Sequence, residues 1–228
     1  MVAKNLTVSI VKKFIPSRKA KSRKGENGVV LVIGGSYIYH GAPILSSIAA
    51  LRCGTDLVYT SVPNINVAPT RAISPNLIVI PLVDQKLTRG AVNKLLGALP
   101  RNIDSATIGM GLAIQERNAL LHLVQSLLDR DVRLSLDASA LIPEVLPFLP
   151  NKNVVVTPHA GEFKRLFGEV PSNSKNERIK LVEKKAKENG ITVLLKGATD
   201  VISNGTTTFL YEKKIPAMTV GGTGDVLS

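Results

Sequence analysis

The chain has no tryptophan, one cysteine, three histidines and nine phenylalanine and tyrosine residues together. Each scarcity closes a class of function. A lone thiol, Cys53, excludes a disulfide framework and a thiolate zinc site, and three histidines argue against a zinc centre built without thiolates. Few aromatic rings leave few platforms for base stacking. No helix-turn-helix, zinc-finger or RNA-binding signature is present, so nucleic acid is disfavoured as a partner. Apolar runs such as Val29–Ile33 are far shorter than the roughly 20 residues of a membrane span. The N-terminus shows no apolar stretch of a secretory signal, so no membrane attachment is expected and a reducing, cytoplasmic setting is.

What is present is a globular composition: 228 residues, 44% hydrophobic and 20% charged. That suits one α/β domain or two small ones, with about 70% of the unfolded surface buried on folding. The net charge is +12, and it is unevenly spread. Residues 1–25 carry eight lysines and arginines and no acid, whereas the remainder holds 21 bases against 17 acids. The division expected is therefore a basic N-terminal segment, 1–25, followed by an α/β domain, 26–228. The basic excess suits a polyanion such as a nucleotide or dinucleotide, and a simple solvated arm is the plain alternative.

From Val29 onward, short apolar β-branched runs alternate with amphipathic stretches. Strands are predicted at 29–33, 57–62, 77–83, 106–109, 133–136, 153–156 and 191–195. Helices are predicted at 43–53, 91–99, 116–129, 161–167 and 177–189. Asn204-Gly205 between two short apolar runs predicts a hairpin. Strand–helix alternation of this kind builds a mainly parallel sheet with helices on both faces, a three-layer αβα sandwich. In such sheets ligands bind beyond the carboxyl ends of the strands, so the residues there are the candidates for chemistry.

Gly34-Gly35-Ser36 follows one strand and Gly109-Met110-Gly111 another, and each alone reads as a tight turn. Asp137 ends a strand and reads most simply as a helix N-cap. Thr157-Pro158-His159-Ala160-Gly161-Glu162 puts His159 and Glu162 at a strand-to-helix junction. The pair suits either a metal or phosphate site or a capping arrangement. Lys196, at a strand end beside Gly197, could reach a phosphate as a point charge or be an ordinary turn lysine. The sharpest feature is Gly221-Gly222-Thr223-Gly224-Asp225. Its glycines expose successive N–H groups that can cradle an anion, and Asp225 is placed to take a proton from a hydroxyl attacking phosphorus.

Taken in order, these motifs, with Arg23-Lys24-Gly25-Glu26-Asn27-Gly28, Gly41-Ala42 and Asp137-Ala138-Ser139-Ala140-Leu141, resemble the ADP/ATP-dependent NAD(P)H-hydrate dehydratase family. That family is part of the ribokinase-like superfamily, and the resemblance covers residues 12–228. It implies a ribokinase-like fold and repair of NADH or NADPH whose nicotinamide ring has added water. A phosphoryl group from ADP or ATP, with Mg²⁺, would go to the ring hydroxyl, and phosphate would then leave. Carried over by position, Asp225 is the base, and Gly222, Thr223 and Gly224 hold the transferring phosphoryl. Lys196, Gly197, Ala198, Thr199 and Asp200, with Gly224, hold the nucleotide. Ala42, Gly111, His159 and Asp225 line the hydrated-cofactor side, and Glu162 organises Mg²⁺ indirectly through water. The resemblance also implies a functional link to an NAD(P)H-hydrate epimerase. Met110, Ala113, Ala160 and Asp200 depart from the family pattern.

Two expectations concern the end of the chain. Ser228 comes three residues after Asp225, and a helix of three residues cannot form on its own, so the domain is expected to continue for some tens of residues more. Exposed sheet edges leave room for a homo-oligomer. Two rival readings stay open: a ribokinase-like kinase of a small alcohol or vitamin precursor, and an inactive nucleotide-binding module.

Overall fold

Thr7 accepts a hydrogen bond from the Ile10 amide at 3.4 Å and so caps a short helix, α1 (Val8–Phe14), which follows a two-residue strand, β1 (Lys4–Asn5). This computed structural model describes residues 3–212 and 215–228, so the first two residues of the basic segment lie outside the described residues. The alternation then begins with β2 (Val29–Ile33), α2 (Gly41–Arg52), β3 (Leu57–Pro63), α3 (Val67–Ile73) and β4 (Leu77–Leu82). It continues with α4 (Arg89–Ala98), β5 (Ser105–Ile108), α5 (Arg117–Leu128), β6 (Arg133–Leu136) and β7 (Val154–Val156). Helices α6 (Ala160–Phe167) and α7 (Lys175–Asn189) precede β8 (Thr192–Leu195), the hairpin β9 (Thr199–Ser203) and β10 (Thr208–Glu212), and a last helix, α8 (Thr223–Leu227).

The strands form one sheet in the order β1-β10-β9-β8-β7-β6-β5-β2-β3-β4. From β4 to β8 every pairing is parallel, whereas β8–β9 and β9–β10 are antiparallel. The central strand β2 is the most deeply buried, which is why it reads as an unbroken apolar run: Val29, Leu31, Val32 and Ile33 are all inaccessible to solvent, whereas Val30, Ser105, Ser135 and Val155 line a cavity of about 790 Å³ on one face of the sheet. Helix α5 buries Ala119, Leu120, Leu123, Val124, Leu127 and Leu128, the stripe its sequence spacing predicts. From β2 the chain winds to one side through β3 and β4. It then returns, and β5, β6, β7 and β8 build out on the other side. The carboxyl ends of β2 and β5 therefore flank the point where the winding reverses, the place such sheets keep for a ligand.

One sequence expectation is corrected and one helix is additional to those predicted. Helix α8, of five residues, is held from outside: Ser46 of α2 donates its hydroxyl to the Asp225 carbonyl at 2.6 Å. Tertiary contact replaces the propagation that so short a helix lacks. Asp137 stands at the start of a short 3₁₀ turn, Ala138–Ala140, but its side chain caps nothing there. Helix α3, which contains Pro69, was not foreseen, because it buries only Thr70 and so carries no apolar stripe.

Candidate functional site

The two glycine-bearing turns at the reversal point pack against each other. A Cβ on Gly34 would stand 2.5 Å from the Met110 carbonyl oxygen, and one on Gly109 would stand 2.0 Å from that of Asp137. Gly109 also has φ of +121°, which side-chain-bearing residues rarely adopt. The backbones of the β2, β5 and β6 ends thus meet at distances only glycine allows.

Above this floor lies a cavity of about 590 Å³. Ala42, Gly111 and Asp225 line it, together with Tyr37, Tyr39 and Lys86. Tyr37 and Tyr39 are 70% and 63% exposed, so their rings face an open mouth. Of the residues expected on the hydrated-cofactor side, three are brought together here. His159 is outside this lining.

His159 begins α6, and its Nδ1 accepts from the Gly161 amide at 3.0 Å and the Glu162 amide at 3.3 Å. Glu162 returns the bond, its Oε2 accepting from the His159 amide at 2.8 Å. This is a reciprocal capping box, so the His159–Glu162 spacing has a complete structural role.

A second cavity, about 320 Å³, is lined by Lys196, Gly197, Ala198 and Thr199, with Arg178 and Lys175 from α7. Asp200 is behind it, buried, with Oδ1 accepting from the Gly197 amide at 2.9 Å. Asp200 therefore shapes the turn that the nucleotide-side residues occupy. Gly224, next to Asp225, stands beside Lys196: a Cβ there would be 3.6 Å from Lys196 Nζ. Gly222, with φ of +93°, turns the chain into α8, and Thr223 ties the turn by donating its hydroxyl to the Val220 carbonyl at 3.1 Å.

Charges converge where the cavities meet. Lys196 Nζ lies 2.9 Å from Asp137 Oδ1 and 3.8 Å from Glu162 Oε2. Burial, together with the negative charge of Asp137, pushes the Asp225 carboxyl above its ordinary value, and Lys196 opposes that shift. Among the described residues no group of three or more His, Cys, Asp or Glu is arranged to hold a metal ion.

Sequence reasoning missed several members of this site. Tyr37, Tyr39 and Lys86 sit on loops that carry no spacing signal. Arg165 of α6 bonds the carbonyls of Leu141 at 2.9 Å and Ala138 at 2.5 Å. It thereby holds Ala138 at φ of +46°, a conformation uncommon outside glycine. Nothing in the sequence pairs Arg165 with Ala138.

Comparison with known proteins agrees with this geometry. A protein of Nitrosopumilus maritimus named ADP-dependent (S)-NAD(P)H-hydrate dehydratase is 88% identical over the whole chain, which spans 79% of that protein. The bifunctional NAD(P)H-hydrate repair enzyme Nnr of Pyrobaculum aerophilum is 42% identical over 93% of the chain, which spans 42% of that enzyme. The crystal structure of the ADP/ATP-dependent NAD(P)H-hydrate dehydratase from Bacillus subtilis, co-crystallised with ATP and Mg²⁺, superposes with a TM-score of 0.84 at 26% identity. It covers all of this chain and 79% of its own. The NAD(P)H-hydrate dehydratase family model matches residues 30–228, and with this fold and these strand-end residues the chain belongs to that family.

Proposed function

We propose that the chain dehydrates hydrated NADH or NADPH at the expense of ADP. The observation that carries this reading is the position of Asp225. It lines the 590 Å³ cavity, and beside its neighbour Gly224 stands Lys196, which lines the 320 Å³ cavity: a Cβ on Gly224 would be 3.6 Å from Lys196 Nζ. The hydrated dinucleotide occupies the Tyr37–Asp225 cavity and the nucleotide occupies the Lys196–Thr199 cavity. ADP is favoured over ATP as donor because the relative that is 88% identical is named ADP-dependent.

Asp225 takes the proton of the ring hydroxyl, and that oxygen attacks the terminal phosphorus of ADP. The new O–P bond forms as the bond to AMP breaks. The amides of Gly222, Thr223 and Gly224 hold the phosphoryl oxygens. Phosphate then leaves with the electrons of the ring C–O bond, and the adjacent ring carbon gives up a proton, which restores the double bond. The step balances: one hydrated NADH and one ADP give NADH, AMP, phosphate and a proton, the ring hydroxyl oxygen leaving in the phosphate.

The residues fit Mg²⁺ only as an ion carried by the nucleotide phosphates through water, with Glu162 nearby, because the Glu162 carboxylate is already committed to the His159 amide. Bound so, Mg²⁺ would offset phosphate charge. An enzyme that takes one epimer leaves the other behind, so an epimerase must feed it; the bifunctional relative supports that link. The unit 26–228 is read as the catalytic body, the basic segment 1–25 adds the edge strand β1 to its sheet, and the cytoplasm is the setting that fits these substrates.

The test is to incubate hydrated NADH with ADP or ATP and Mg²⁺ and follow the return of reduced-nicotinamide absorbance. Recovery with ADP is expected. A stable phosphorylated product, or no recovery with either nucleotide, would sink the reading.

A further inference from the structure

The mechanism above leaves a buried carboxylate unused. Asp137 is 3% exposed and belongs to neither cavity lining. Its Oδ1 accepts from Thr157 Oγ1 at 2.9 Å and from Lys196 Nζ at 2.9 Å. These partners come from neighbouring strand ends: Asp137 follows β6, Thr157 follows β7 and Lys196 follows β8. Three adjacent strands thus converge on one oxygen.

Burying an ion pair is costly, and an apolar pair of similar volume is often at least as stable. The pair therefore calls for a role other than stability. A lysine has a flexible four-carbon stem and a mobile point charge. Here the ammonium is held by Asp137, with Glu162 at 3.8 Å, on the side of Gly224 where a Cβ would stand 3.6 Å from Nζ. Gly224 is where the transferring phosphoryl rests in the reading above, on which this inference depends.

We propose that Asp137 is a positioning residue: it holds Lys196 so that the ammonium meets the terminal phosphoryl of the nucleotide and not its remaining parts. Lys196 is then the group that distinguishes ADP from AMP. When the phosphoryl arrives, the ammonium is already desolvated and aimed, and it shares its charge between Asp137 and the phosphoryl oxygens. Thr157 fixes Asp137 by donating to the same oxygen.

The experiment measures ADP and AMP affinity by calorimetry, with Mg²⁺, for the full chain and for Asp137→Asn, Lys196→Met and the double variant. The wild type is expected to prefer ADP. Asp137→Asn and Lys196→Met are each expected to lose at least tenfold of that preference, ADP weakening more than AMP, and the double variant to lose no more than Lys196→Met. Should Asp137→Asn fold poorly, Thr157→Val is the milder probe, with a severalfold loss of the ADP preference. A preserved ADP-to-AMP ratio in Asp137→Asn or Thr157→Val, equal weakening of both nucleotides, or additive losses in the double variant overturns the proposal. Turnover of hydrated NADH is followed in parallel. ADP preference that depends on Asp137 without turnover would refute the substrate reading and leave the positioning role standing.

Discussion

Ser46 and Asp225 are 179 residues apart in sequence, and the hydroxyl of the first donates to the main-chain carbonyl of the second at 2.6 Å. Helix α2 thereby carries the helix that bears Asp225, the proposed base. Ser46→Ala should cost about 1 kcal/mol of local stability. Circular dichroism should be unchanged, because the core strands do not depend on this bond. Turnover should fall severalfold. Full activity in Ser46→Ala would mean that α8 is held by other contacts.

The raised pKa of Asp225 has a definite sign. As a base it must be ionised, so kcat/KM should fall on acidification through a value above the ordinary carboxylate range of about 4. Burial is the largest cause and Asp137 the second, so Asp137→Asn should move that limb down. Lys196 lowers the same pKa, so Lys196→Met should move it up.

The same shift bears on stability. A carboxyl whose folded pKa is raised contributes stability at low pH and loses it as pH rises through the folded value. Asp225→Asn should therefore abolish turnover yet raise Tm at neutral pH. A lower Tm at pH 7 would contradict the assignment of burial as the cause.

Asp56 anchors the basic segment. Its Oδ2 accepts from the Asn27 amide at 3.0 Å, the Asn27 side chain at 3.0 Å and the Gly25 amide at 2.9 Å, and Arg18 pairs with Oδ1. The Asn27 bonds lead in holding its pKa below the usual value. The stabilisation is present above the ordinary aspartate pKa and is lost as pH falls through the lowered one. Asp56→Asn should expose Arg18 to Lys24 to trypsin, with faster cleavage in that segment as the readout.

Gly109 cannot take a side chain where it stands. A Cβ would overlap the Asp137 carbonyl, and the left-handed backbone adds about 1–3 kcal/mol of strain. Gly109→Ala should lower Tm by several degrees and displace Asp137, so activity should fall further than stability alone predicts.

Most of the frame is legible in the sequence, and the reason is physical. Strands buried on both faces must be apolar throughout, so Val29–Ile33 announces itself, and the glycines and Asp137 that end such runs mark the ligand edge. The misses share a cause as well. Asp137 looked like a cap because its partners, Thr157 and Lys196, are 20 and 59 residues away. Helix α8 looked too short because α2, which holds it, is far off in the chain. The Tyr37–Tyr39 loop has no period to read. The His159–Glu162 pair was legible as a capping arrangement, and the structure contains that arrangement in full.

Asp225 lines one cavity and Lys196 the other, with Gly224 beside both, and in the proposed function that arrangement sets the order of events. The proposed mechanism passes the phosphoryl directly from donor to acceptor, with no residue of the chain carrying it in between. Both ligands must therefore be seated before anything is transferred. Initial-rate plots at several fixed nucleotide concentrations should converge, as for a ternary complex, and should not run parallel.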